Sequence, residues 1–294
     1  MNIFKNLLGA APKLLSDGSF SPSPLALKLA TSPKTDFDGA IYESPYKGGK
    51  HRVLMVCTEE KNMTMANGKT FSTGNHPVEI GLPMLHLLKA GFDIDIVTPT
   101  GKPVKIEMWA MPEKDEAVKK LYLNFKEKFE NPGSLADVVK NSLNDDSPYI
   151  SAFIPGGHGV MLGLPESLDL NKLLNWVHQT NRYTLAICHG PAALLAASLD
   201  SDKDSFIYRD YTIAAFPDSV DKQTPMIGYM PGQMPWLFGE RLQELGINII
   251  NKKADATCHI DRKLITGASP KAANAFGRLA ADTLLDAVNS EKVV

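Results

Sequence analysis

The sequence predicts an α/β protein: a doubly wound, mostly parallel sheet sandwiched by helices, with a small helical cap inserted between strands. Two observations carry the sandwich. Apolar runs of buried-strand type alternate with helical patterns from Arg52 onward, and the spacing strand, helix, strand over the first of them makes a βαβ unit. A third locates the chemistry. The run Tyr183-Thr-Leu-Ala-Ile187 leads into Cys188-His189-Gly190-Pro191 and then an alanine- and leucine-rich segment of high helix propensity. Sites in doubly wound sheets lie at the carboxyl ends of strands, which is where Cys188 falls.

In chain order, Ile3, Phe4, Leu7, Leu8, Ala11, Leu14 and Leu15 recur at helical spacing, and are read as a short amphipathic helix packing on the body or a partner subunit. Residues 16–50, rich in Ser, Pro, Gly and Asp, read as an extended arm, so residues 1–50 stand apart from a core domain over 51–290. Arg52-Val-Leu-Met-Val-Cys-Thr58 is a buried strand, and the loop Ala66 to Pro77 follows. The segment Val78 to Ala90 has helical periodicity closed by Gly91, and Phe92 to Gly101 is a second strand ending in a Pro/Gly turn. The texture then turns charged and helical over 103–147, taken as the cap. The sheet resumes with Tyr149 to Gly159, a helix Leu168 to Gln179, and the strand before Cys188. Beyond it come strands in Tyr211 to Phe216, Ile247 to Lys252 and Arg262 to Gly267, a helix in Gly239 to Gly246, and a long terminal helix from Ser269.

Composition narrows the partners. A chain of 294 residues with 44% hydrophobic and 22% charged residues can bury a sizeable core. A formal charge of -2 without any Lys/Arg run interleaved with aromatics excludes nucleic acid as an obligate partner. The three cysteines, Cys57, Cys188 and Cys258, are too few and odd for a disulfide framework and imply a reducing, cytoplasmic setting. No stretch approaches the roughly 18 unbroken apolar residues of a membrane span.

Cys188 sits on a tight strand-to-helix turn, where Gly190 tolerates strained dihedrals and Pro191 suits the first helical turn. The positive end of the following helix favours the thiolate, hence nucleophilic chemistry. Such a thiol needs a base and oxyanion donors. His189 is adjacent, and the loop Gly156-Gly157-His158-Gly159, also just after a strand, can present unobstructed backbone N–H groups. Cys57, inside a strand, reads as a small core hydrophobe; Cys258-His259 lacks the following Gly-Pro and helix. His158 and His76 are expected to line the pocket or bond to backbone, and His86 to be a satisfied or surface histidine.

The motifs FSTGNHPVE (71–79), WAMP (109–112), IPGGHG (154–159), ICHGPAALL (187–195), AFPDSVDKQTP (215–225), IGYMPG (227–232) and DRKLITGASPKAAN (261–274) resemble the ThiJ/PfpI superfamily. Within it they resemble the heat-shock chaperones that act as glutathione-independent glyoxalases (glyoxalase III), also described as protein deglycases. The resemblance covers the chain from about Thr31 onward. It implies a flavodoxin-like, class I glutamine-amidotransferase-like fold. By position it makes Cys188 the nucleophile, His189 its partner, Asp221 the acid orienting that histidine, and Glu79 the carboxylate beside the thiol. Spacing alone leaves Asp218 as a rival to Asp221. Burial beside the thiol should keep Glu79 protonated, able to donate to sulfur and shuttle a proton. The implied reaction takes methylglyoxal to lactate through a cysteine hemithioacetal, a lyase of the D-lactate dehydratase class with no cofactor. Repair of glycated side chains, a hydrolase reaction, would reuse the same thiol.

Bacterial members are similar in carrying a two-histidine, one-carboxylate metal site near the cap. The matching positions here are Leu88, Asp93 and Phe125, so no metal is expected there. A holdase chaperone binding unfolded chains and a small-substrate cysteine peptidase are the rival functions. A homodimer is expected.

Overall fold

A computed structural model of the protein describes residues 9–200 and 202–291. The central sheet is built from strands whose residues are buried on both faces: β3 (Arg52–Val56), β6 (Asp93–Thr98), β8 (Tyr149–Ile154), β9 (Tyr183–Ile187) and β13 (Leu264–Gly267). Its order is β12-β13-β9-β8-β3-β6-β7, where β7 is Gly133–Ser134 and β12 is Cys258–Asp261. All pairings are parallel except β12 with β13, so the sheet is mostly parallel and flavodoxin-like.

The alternation of strand side chains divides the interior in two. Leu54, Val56, Ala152, Ile154 and Ala186 face one core, and Val53, Met55, Phe153, Leu185 and Ile187 the other. Each fully buried aliphatic or aromatic side chain contributes about 1.5–3 kcal/mol, so both cores are substantial. The first is covered by Leu170, Leu173, Leu174 and Val177 of the helix Leu168–Gln179 and by the helix Gly190–Ser198. The second is covered by Ile80, Leu82, Met84 and Leu87 of the helix Pro77–Lys89 and by Phe276, Ala280 and Leu284 of Ala273–Glu291.

In chain order the α-helices are α1 (Pro24–Ala30), α2 (Pro77–Lys89), α3 (Glu116–Glu130), α4 (Leu135–Asn141), α5 (Leu168–Gln179), α6 (Asp218–Asp221), α7 (Phe238–Glu244) and α8 (Ala273–Glu291). The remaining strands are β1 (Lys13–Leu14), β2 (Phe20–Ser21), β4 (Asn62–Thr64), β5 (Thr70–Ser72), β10 (Thr212–Ile213) and β11 (Asn248–Ile249).

Three expectations change. The start of the amphipathic helix expected around Ile3 to Leu8 lies outside the described residues, and its far end is not helical, because Lys13–Leu14 pairs antiparallel with β2. The arm is also not merely extended: α1 starts at Ser23, whose Oγ accepts from Ala26 N at 3.1 Å. With the hairpin β4–β5, inside what reads as one loop, β1 and β2 form a second sheet of order β1-β2-β5-β4. Finally, within the segment 103–147, expected as a cap, β7 pairs with Val97 and Thr98 and extends the main sheet. The strands expected at 211–216 and 247–252 pair with each other as β10 and β11 in a separate two-stranded sheet.

Candidate active site

β9 ends at Ile187, and the chain turns at Cys188 with a φ of 61°. A non-glycine residue there costs of order 1–3 kcal/mol and persists only when its surroundings fix it. Here Cys188 N donates to Gly267 O at 2.7 Å, and Phe216 N donates to Cys188 O at 2.9 Å. The thiol is held at the carboxyl end of the central strands, and the following helix, Gly190–Ser198, is wound as a 3₁₀ helix with Pro191 in its first turn.

Cys188 Sγ lies 3.3 Å from His189 Nδ1, and His189 Nε2 lies 2.9 Å from Asp221 Oδ2. The other oxygen of that carboxylate, Oδ1, is 3.0 Å from His158 Nε2. Asp221 is thus shared by two histidines, whose ring centroids are 3.9 Å apart. Behind His158 stands a second buried carboxylate, Glu107, with Oε1 3.9 Å from His158 Nδ1 and accepting from Thr73 Oγ1 at 2.7 Å. Asp218 is elsewhere: its two oxygens accept from Gly239 N and Glu240 N at 3.1 and 2.8 Å, at the start of α7.

Glu79 comes from the first turn of α2 and is fully buried against Cys188 and Gly156. Its oxygens meet no nitrogen or oxygen partner among the described residues. A Cβ on Gly156 would stand 2.2 Å from Glu79 Oε2 and 2.7 Å from Cys188 Cβ, so only glycine allows carboxyl and thiol to close on one another. Gly157, with φ 104°, lines the cavity that Cys188 also lines; Gly156 is packed against Glu79 and Cys188.

The electrostatics follow from burial and pairing. Burial pushes the Glu79 carboxyl well above its ordinary range, which favours its neutral form. Burial, reinforced by Glu79, also raises the Cys188 thiol well above its ordinary range. The expectation that the helix end favours a standing thiolate is corrected: desolvation outweighs the weak field of a 3₁₀ turn. Burial would raise Asp221, but its histidines hold it well below the usual carboxylate range. Burial would lower His158, yet Asp221 and Glu107 push it up to about 9. Burial, with the His158 charge beside it, keeps His189 below its ordinary value. These shifts favour an imidazolium at His158, a neutral imidazole at His189, and a thiol and an acid facing each other. With Asp221 ionised, His189 donates from Nε2, which leaves Nδ1 free to accept the thiol proton.

Cys188, His189, Glu79 and His158 line a cavity of about 260 Å³ together with Glu107, His76, Phe216 and Tyr229. Sequence reasoning did not single out Glu107, a lone glutamate in a charged segment; only the fold brings it to His158. His86 is satisfied, bonded to Tyr42 Oη and Asn274 Oδ1, each at 2.7 Å. At the positions considered for a metal, Leu88 and Phe125 pack against the apolar core and Asp93 pairs with Arg52 at 3.0 Å, which does not make a ligand set. Among the described residues, His158, His189 and Asp221 are the group with cation-binding spacing, their ligand atoms lying within 4.8 Å of one another. Those same atoms are already joined by hydrogen bonds, so protons occupy the ligand directions.

No family model matches the sequence. Curated relatives do. A protein/nucleic acid deglycase HchA of Pseudomonas aeruginosa is 52% identical over 277 residues, covering 94% of this chain and 95% of that protein. One of Staphylococcus aureus is 46% identical over 281 residues, covering 95% and 96%. Among solved structures, glyoxalase III from Candida albicans superposes with a TM-score of 0.61 over 79% of this chain and 97% of that one, at 22% identity, a likeness of fold. Nearly full-length coverage at about half identity settles the family: the chain belongs to the HchA deglycases, enzymes of the ThiJ/PfpI superfamily.

Proposed function

We propose that the protein converts methylglyoxal and similar α-oxoaldehydes to lactate without glutathione, through a hemithioacetal on Cys188. The observation that carries this reading is the meeting of three groups in one small cavity: a buried thiol, a histidine 3.3 Å away and a buried carboxyl whose pKa burial raises. Cys188 sulfur bonds to the aldehyde carbon as its proton passes to His189 Nδ1 and Glu79 protonates the aldehyde oxygen. Glu79, now a buried carboxylate with no nitrogen or oxygen partner among the described residues and so a strong base, takes the C1 proton while His189 returns a proton to the ketone oxygen, giving the enediol. Glu79 then protonates C2, and the C1 hydroxyl proton goes to His189, giving a thioester. Water attacks the thioester, losing a proton to Glu79, and the sulfur leaves with the proton from His189. The balance is methylglyoxal plus water to lactic acid, with every group restored. In this course of steps Asp221 orients His189, and the Gly156 and Gly157 N–H groups are the candidates to serve the developing oxyanion.

The relatives' name favours a second reading on the same site. A hemiaminal of methylglyoxal on an amine would exchange its C–N bond for C–S at Cys188, the thiol proton leaving with the amine, and rejoin the path above. The printed name covers nucleic acid as well as protein, which widens the carrier beyond the protein adducts that composition suggested. The free cysteines suit a reducing, cytoplasmic setting.

A Cys188→Ala variant tests the reading. Lactate release from methylglyoxal without added thiol should vanish; retained turnover in that variant would sink it.

A further inference from the structure

The Cys188 cavity does not end at the thiol. A second cavity of about 360 Å³ adjoins it, and Leu29, Ala30, His76, Pro270 and Lys271 line both. A three-carbon aldehyde fills only part of the first; the two together fall within the ~300–1,000 Å³ of ordinary ligand sites.

The outer compartment is built rather than incidental. Its roof is the arm carrying α1, tied down where Ser23 N donates to Gly228 O at 2.8 Å, Thr35 N to Asp115 Oδ2 at 3.1 Å, and Asn274 Nδ2 to Asp36 O at 2.8 Å. At the junction stands His76, buried, with Nδ1 lacking any partner and the ring held neutral by burial, its pKa lowered to about 4. An unmet hydrogen-bonding atom at a buried waist calls for a partner. The wall beyond it carries Lys34 and Lys271, neither in an ion pair among the described residues, and a single carboxylate, Asp36.

We propose that the two cavities are one bipartite site. The inner part takes the α-oxoaldehyde unit, and the outer part takes the carboxylate of an amino acid that carries this unit on its side chain, with Lys271 and Lys34 as its partners and His76 at the link between them. Two lysines beside one aspartate match a single carboxylate; a phosphodiester chain would bring several charges to a wall that also presents Asp36. This rests on the deglycase reading of the Cys188 site.

Stable thioether analogues test it by binding alone. S-(2-oxopropyl)-N-acetylcysteine and its carboxamide are titrated calorimetrically into the full-length Cys188→Ala protein, then into the same protein carrying Lys34→Gln and Lys271→Gln. The carboxylate should bind about tenfold more tightly than the amide, and the lysine substitutions should erase the difference. Equal affinities, or a preference that survives both substitutions, overturn the proposal. Tighter binding of a 2-oxopropyl guanosine monophosphate than of the amino-acid analogue overturns the carboxylate assignment in favour of phosphate. These outcomes are independent of turnover: loss of the catalytic reading would show as wild-type protein that releases no lactate, whatever these affinities are.

Discussion

His158 and His189 hold opposite oxygens of one carboxylate, Asp221 Oδ1 at 3.0 Å and Oδ2 at 2.9 Å. Two imidazoles so close cannot both be protonated without strong repulsion, and the second carboxylate behind His158 favours the proton there. Replacing His158 by Gln removes a positive charge beside His189, whose pKa then rises. Because the base must be neutral to accept the thiol proton, the acid limb of kcat/KM against pH should move to higher pH. An unmoved limb would separate His158 from the base.

The same histidine links stability to pH. Its folded pKa, about 9, lies above its value of about 6.5 in an unfolded chain. The stabilisation is therefore complete below about pH 6.5 and is lost as pH rises through about 9. Urea midpoints measured across that window should fall more for wild type than for His158→Gln.

Glu79 is a buried acid that meets the Cys188 thiol but no nitrogen or oxygen partner among the described residues, so its retention is a matter of chemistry rather than stability. Glu79→Gln keeps the shape and removes the proton. Turnover of methylglyoxal should drop by roughly 10²–10⁴, while the melting temperature holds or rises. A variant that keeps wild-type kcat would remove Glu79 from the proton path.

The two aspartates of Phe216-Pro-Asp-Ser-Val-Asp should separate cleanly. Asp221→Asn leaves His189 without its orienting acceptor, and activity should collapse. Asp218→Ala removes only the acceptor for the amides opening α7, costing about 0.5–2 kcal/mol in unfolding free energy with activity kept.

Since burial and Glu79 raise the Cys188 thiol, its alkylation by iodoacetamide should be slow at neutral pH and climb in alkaline solution. Glu79→Gln should change the midpoint of that titration. Fast alkylation at pH 6 would restore a standing thiolate.

Much of this was legible in the chain. Apolar runs of buried-strand type and helical patterning located β3, β8, β9 and α5, and the turn at Cys188 announced itself through Gly190 and Pro191, because those signals are local. What was not legible is long-range. Nothing in the neighbourhood of Glu107 shows that its carboxyl meets His158, and the strands β4 and β5 are short segments whose pairing depends on the arm beneath them. The ionisation of Cys188 was misjudged for the same reason: a helix end can be read from sequence, whereas the desolvation that outweighs it depends on what the other elements bring to the cavity.

Asp221 is bonded across 63 residues of chain to His158 and across 32 to His189. Closing such loops is the slow part of assembling a fold. In a refolding experiment, catalysis should accordingly return with the last phase, after helical signal has recovered, which makes turnover a gauge of whether the entire chain has reached its native arrangement.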